Sequence, residues 1–294
     1  MRTLAQLLAG ISFIGLCAGA PGAAAPADDG ASVLRVCADP DNLPQSNEHG
    51  EGYENRIAVK LAQDLGQRVE YTFFPQRIGF VRNTLRSKDE SQRYKCDVII
   101  GVPKGYELTA TTQSYMHSTY SMVFRAQGNL AKIASPDDLL QLPPAQRLAL
   151  RIGIFGRSPA ADWLLRNGLF AQAVSYAPQS GDPHENPAGI IERDLAAGKI
   201  DVAIVWGPVA GFLVGRNSDK GVWRAVAFKP DPGIRFDFEI SMGVRFGENE
   251  WKDRLDAWIA SHRREINEIL VSYRIPLITD NGNVIVPVAK DSAM

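Results

Sequence analysis

Gly52-Tyr53-Glu54-Asn55-Arg56-Ile57-Ala58-Val59-Lys60-Leu61-Ala62-Gln63-Asp64-Leu65-Gly66 decides the fold, because of what stands on either side of it. Ile57, Leu61, Ala62 and Leu65 fall at i, i+4, i+5 and i+8, one apolar stripe of a helix that a glycine then closes. Before it comes Val33-Leu34-Arg35-Val36-Cys37-Ala38, a buried strand, and after it Val69-Glu70-Tyr71-Thr72-Phe73-Phe74, another. Phe80 to Leu85 follows as helix, then Asp97-Val98-Ile99-Ile100-Gly101 as a short apolar strand with a glycine exit. A β-α-β-α-β order of this kind builds a parallel sheet with helices on its faces.

A second unit of the same kind follows a strand at Tyr120-Ser121-Met122-Val123-Phe124. Leu148 to Phe155, Ala173 to Tyr176 and Ile200 to Val205 read as strands; Pro159 to Arg166, Asn186 to Ala197 and Pro208 to Val214 read as helices. Val222 to Phe228 and Phe236 to Val244 are further strands. One long helix closes the pattern, with Trp251, Leu255, Trp258, Ile259, Ile266 and Leu270 on a single stripe. The expectation is an α/β protein of two lobes, residues 33–125 plus 231–271 in one and 126–230 in the other. The tail, 272–294, holds Pro276 and Asp280-Asn281-Gly282 and is expected to pack extended, then fray.

The 294 residues are 45% hydrophobic and 22% charged with a net charge of −1, which argues against wholesale disorder and against a general drive towards nucleic acid. Arg2, the apolar stretch Leu4 to Ala20 and the small residues Ala25 and Ala27 read as a signal peptide over 1–27, with cleavage after Ala24 as the alternative. No later apolar run reaches the roughly 18 residues of a membrane span. Cys17 leaves with the peptide, so Cys37 and Cys96 remain in an oxidising compartment where thiols pair. Strand arithmetic opposes the pairing. If the two strands are parallel neighbours, an offset of three residues at about 3.3 Å each exceeds what a disulfide tolerates. A disulfide and two buried thiols both stay open.

Catalytic signatures are missing. His49, His117, His184 and His262 are scattered, and no zinc, serine-hydrolase, P-loop or dinucleotide motif occurs. Asp39-Pro40-Asp41-Asn42, with Asn47, Glu48 and Glu51, offers hard oxygens, but Leu43 stands where an EF-hand needs a ligand, and a solvated loop is the better reading. No catalytic residue, no metal site and no cofactor of its own are expected.

The helix Gly52 to Gly66, and Lys199 to Val205 followed by Gly207-Pro208-Val209-Ala210, resemble the periplasmic solute-binding proteins of ABC importers from about Val33 to Val271. Further stretches are more specific: Cys37-Ala38-Asp39-Pro40-Asp41-Asn42-Leu43-Pro44, Pro75-Gln76-Arg77, Cys96-Asp97-Val98-Ile99-Ile100-Gly101-Val102-Pro103 and Tyr273-Arg274-Ile275-Pro276-Leu277. They resemble the MxaJ/XoxJ family, the quinoprotein-dehydrogenase-associated J proteins of methanol-oxidation clusters. The resemblance implies a type II binding-protein fold with an interlobe cleft. It also implies a periplasmic partner, a PQQ-dependent methanol dehydrogenase that carries PQQ and calcium or a lanthanide.

By that resemblance Leu108 stands where amino-acid binders keep a carboxylate-holding arginine, and Trp206 where they keep an amino-group aspartate. Loops leaving the carboxyl ends of parallel strands carry the ligands of such folds. The expected cleft residues are therefore Pro103, Tyr106, Phe155, Trp206 and Pro208 as apolar wall, and Asp39, Asn42, Arg77, Arg157 and Ser158 as polar candidates. Trp206 either stacks on a ligand or partner or packs under a loop. Ser158-Pro159 reads first as a helix cap with proline at N1. Two functions fit: a protein that engages the dehydrogenase, or an importer's receptor for a small uncharged or aromatic solute.

Overall fold

The computed structural model describes residues 32–178, 182, 186–220 and 222–287. The expected signal peptide, His184 and the end of the tail lie outside the described residues. In the first half the chain runs β1 (Val33–Ala38), β2 (Asp41–Asn42), β3 (Ser46–Asn47), α1 (Tyr53–Asp64), β4 (Arg68–Phe73), α2 (Phe80–Asn83), β5 (Val98–Pro103) and β6 (Ala110–Arg125). It continues through α3 (Pro136–Leu140), α4 (Pro144–Leu148), β7 (Ile152–Phe155), α5 (Pro159–Arg166), β8 (Ala173–Tyr176), α6 (Pro187–Ala196), β9 (Val202–Trp206), α7 (Gly207–Arg216) and β10 (Trp223–Ala227). The chain ends with β11 (Asp237–Val244), α8 (Asn249–Ser261), α9 (Arg263–Ser272), β12 (Leu277–Ile278) and β13 (Val284–Ile285).

Strand order is β4-β1-β5-β11-β6-β9-β7-β8, with β1, β4 and β5 parallel on one side and β7, β8 and β9 parallel on the other. β6 belongs to both sides. Residues Ala110 to Thr119 pair with β11, and Tyr120 to Phe124 pair with β9. Partners therefore change within β6 at Thr119–Tyr120, whereas the sequence reading drew a lobe edge after Arg125.

The period of two along each strand separates the cores. Leu34, Val36, Val98 and Ile100 face α1, α8 and α9 and pack with Ile57, Leu61 and Leu255. Cys37 and Ile99 face the other way, onto Phe80, Val81 and Leu85; Val102, past the register shift between β5 and β11, joins them out of period. On the far side of β6, Met122, Phe124, Ile152 and Ile204 pack with Trp163, while Val123, Ala203 and Val205 pack with Ile191 and Leu213.

Three expectations about elements need correction. The strand at Tyr120 starts ten positions earlier, at Ala110. Its first half, rich in Thr and Ser, is stabilised by hydroxyl bonds such as Ser118 Oγ to the Pro276 carbonyl (2.6 Å), not by an apolar run. Leu148 closes α4 rather than opening β7. The long terminal helix is two helices broken at His262, whose ring stacks on Trp258 (4.8 Å) and whose Nε2 lies 3.2 Å from Asp64.

Cys37 and Cys96 form a disulfide, with Cα atoms 5.4 Å apart. The register puts Cys37 opposite Ile99, as the strand arithmetic assumed. What that arithmetic missed is the approach to β5. The Thr72 hydroxyl donates to the Lys95 carbonyl (2.8 Å), and Thr72 is the β4 residue opposite Cys37. The Asp97 N–H then reaches the Arg35 carbonyl (2.7 Å). The chain crosses the face of β1 before entering β5, and this crossing carries Cys96 to Cys37.

The tail packs across α7 before forming the β12–β13 hairpin. A Cβ on Gly211 would overlap the carbonyl of Arg274, so α7 and the strap Tyr273–Pro276 touch backbone to backbone. Ile275 is fully buried in the first core.

Candidate functional site

At the carboxyl end of β1, Asp39 is buried and its carboxylate accepts the N–H groups of Asp41 (3.0 Å) and Gln76. Burial raises its pKa, and the two backbone bonds work in the opposite sense. Asn42 donates to the Gln76 side chain (3.2 Å). These expected ligand residues instead tie the loop after β1 to the loop after β4. The acidic loop beyond is bonded within itself: the Asn47 amide donates to Glu51 (2.7 Å), and Asn55 Oδ1 accepts the Asn47 N–H (3.0 Å). Among the described residues no three His, Cys, Asp or Glu side chains converge as a metal site.

Behind this loop lies a residue that sequence reading passed over. Glu54, at the start of α1, is buried against Gly101 of β5, where a Cβ would overlap its carboxylate. Burial pushes its pKa up to about 7, with the Tyr53 hydroxyl opposing and the charge of Asp39 adding. The buried Tyr115 hydroxyl has no hydrogen-bond partner among the described residues.

Arg77, Pro103 and Tyr106 do come together. They line a cavity of about 500 Å³ at the carboxyl rim of the first sheet, whose floor is Phe80, Val81 and Val102 over the disulfide. Ile78, Arg82, Arg86 and Leu108 share that rim. Arg77 lies 5.8 Å from the Phe74 ring, and the Arg86 guanidinium donates to the Leu108 carbonyl (2.6 Å).

The other five expected residues sit on the second side. Phe155 is half-buried against the α6–α7 core, and Arg157 is exposed with φ of +62°. Ser158 begins α5 ahead of Pro159, but its hydroxyl makes no capping bond and is buried with no hydrogen-bond partner among the described residues. Trp206 ends β9 and packs between Tyr120 (5.6 Å) and Phe238 (5.8 Å), where β6, β9 and β11 meet. It touches the cores of both sides. Pro208 is buried in the first turn of α7.

Comparison with known proteins accords with this architecture. No family model matches the chain. The crystal structure of the periplasmic binding protein XoxJ from Methylobacterium extorquens AM1 is 34% identical, with a TM-score of 0.65, covering 84% of this chain and 100% of that one. The chain belongs to the MxaJ/XoxJ family of type II periplasmic binding proteins. Protein MoxJ of Methylorubrum extorquens is a further relative of this J-family chain, 28% identical over 272 residues, which are 87% of this chain and 85% of that protein. MxaJ from Methlophaga aminisulfidivorans MPT, 24% identical with a TM-score of 0.66 over 83% of this chain and 100% of that one, shares the fold. Among the described residues of this J-family member, no helix is long and apolar enough to cross a membrane.

Proposed function

We propose that this protein is a periplasmic scaffold, exported by the signal peptide over 1–27, that associates with a PQQ-dependent methanol dehydrogenase and assists its maturation or activation. The partner, not this chain, carries PQQ and calcium or a lanthanide. The observation that carries the reading is the fate of the two positions where an amino-acid binder keeps its charges. Trp206 is packed into an aromatic cluster, and Leu108 stands exposed on a rim. Without those charges a zwitterion leaves water uncompensated, at a cost of at least several kcal/mol. Family membership supports this choice of partner.

Affinity capture from a methanol-grown periplasm tests this. The expected prey is the dehydrogenase, identified by its large-subunit peptides, with no stoichiometric small molecule in the purified bait. A micromolar amino-acid ligand, or no dehydrogenase at all, contradicts it. One observation favours a second reading, a receptor that captures a small solute for an importer: the buried Ser158 hydroxyl, which has no hydrogen-bond partner among the described residues, beside half-buried Phe155. Native mass spectrometry that finds a bound solute supports that reading.

A further inference from the structure

We propose that the rim formed by Gln76–Arg86 and Val102–Leu108 is a docking site for a protein segment that is acidic and carries one apolar anchor. The cavity there measures about 500 Å³, large enough for an aromatic side chain, and its floor of Phe80, Val81 and Val102 is apolar. Arg77, Arg82 and Arg86 stand around it, and neither aspartate nor glutamate is among its lining residues. Glu107, next to Leu108 in sequence, is not one of them. Arg86 reaches the Leu108 carbonyl and the Phe246 ring (5.9 Å), and neither it nor Arg82 has a carboxylate partner among the described residues.

Two exposed side chains point to a polypeptide rather than a small anion. Ile78 is entirely exposed and Leu108 is 39% exposed, and both line the cavity. A small molecule seated on the floor leaves most of the Ile78 side chain in water. A chain laid across the mouth covers both while its anchor fills the floor, which is how aromatic anchors and surrounding contacts divide the work at interfaces. The cationic rim selects acidic flanks and speeds the encounter. The floor is fixed from below by the Cys37–Cys96 disulfide, so the site is ordered before anything binds.

For the partner's identity this rests on the dehydrogenase reading, and the test separates the two. Surface plasmon resonance is run with purified methanol dehydrogenase, and in parallel with a short glutamate-rich peptide holding one central phenylalanine. Ile78→Ser and Arg82→Glu, both exposed and expected to melt like wild type, are compared with Phe170→Ser, a change at an exposed apolar residue away from the rim. The expected result is about a tenfold weaker affinity for each rim variant, none for Phe170→Ser, and weakening with salt. Dehydrogenase binding that is equal in all variants overturns the rim site and leaves the dehydrogenase reading standing. Where the dehydrogenase does not bind at all, that reading falls and the peptide decides: rim-dependent binding supports the site, and its absence overturns it. Rim-dependent sedimentation with phosphatidylglycerol vesicles, without peptide binding, also overturns it, in favour of a lipid surface.

Discussion

The aromatic junction of β6, β9 and β11 and the rim use apolar side chains and arginines in opposite ways. At the junction, Tyr120, Trp206 and Phe238 pack ring against ring and Arg235 lies 4.6 Å over Phe238, so aromatic area is consumed inside the fold. At the rim, Ile78, Leu108 and the arginines stand out around a cavity. Aromatic residues near the ends of strands thus do not by themselves mark a recognition surface. What marks it is apolar area left uncovered above a fixed floor, and by that measure the rim, not Trp206, is the docking site we propose.

The largest expected effect sharpens the rim's side of the comparison. Replacing both Cys37 and Cys96 by Ser opens a loop with a sequence separation of 59 and is expected to cost about 4 kcal/mol in urea denaturation. Dehydrogenase affinity should fall with it, because the floor loosens. Gly211→Val drives a side chain into the Arg274 carbonyl and is expected to cost about 3 kcal/mol, while the fraction that stays folded captures partner normally. Loss of capture by folded Gly211→Val would bring the strap into the interface.

Glu54, buried against Gly101 at the start of α1, gives a pH signature. Its folded pKa of about 7 exceeds the ordinary 4.5, so the folded chain holds a proton that the unfolded chain releases. The stability from this group is complete below pH 4.5 and is lost as pH rises through 7. Glu54→Gln is expected to keep that stability at pH 8, a gain on the order of 3 kcal/mol over wild type, and to change little at pH 4.5. Thermal melts at the two pH values check the difference, and equal gains at both would contradict it. Trp206→Ala is expected to cost about 2 kcal/mol, less than a fully buried tryptophan, and to leave capture per folded molecule unchanged. Weaker capture at full stability would break the comparison and move the partner to the aromatic junction.

Sequence pattern was enough wherever burial and period coincide. α1, α5 and β8 form where Ile57–Leu65, Pro159–Arg166 and Ala173–Tyr176 indicate. It failed where polar groups are satisfied by distant partners, as in Ala110–Thr119, whose Ser118 and Thr119 bond to Pro276 and Phe228. The bonds of Asp39 and Asn42 to the Gln76 loop carried no signal either, since a carboxylate that staples two loops has the same sequence as one that waits for a ligand. Ile78, Arg82 and Arg86 carried no signal because exposed residues follow no period. Glu54 was within reach, as an acid on the buried stripe of α1.

Hydrogen–deuterium exchange of the protein alone and saturated with methanol dehydrogenase tests the central claim most directly. The account predicts slowed exchange in peptides covering Gln76–Arg86 and Val102–Leu108, with no change around Tyr120, Trp206 and Phe238. Protection confined to β6, β9 and β11 around Tyr120, Trp206 and Phe238, with the rim exchanging as in the free protein, would contradict it.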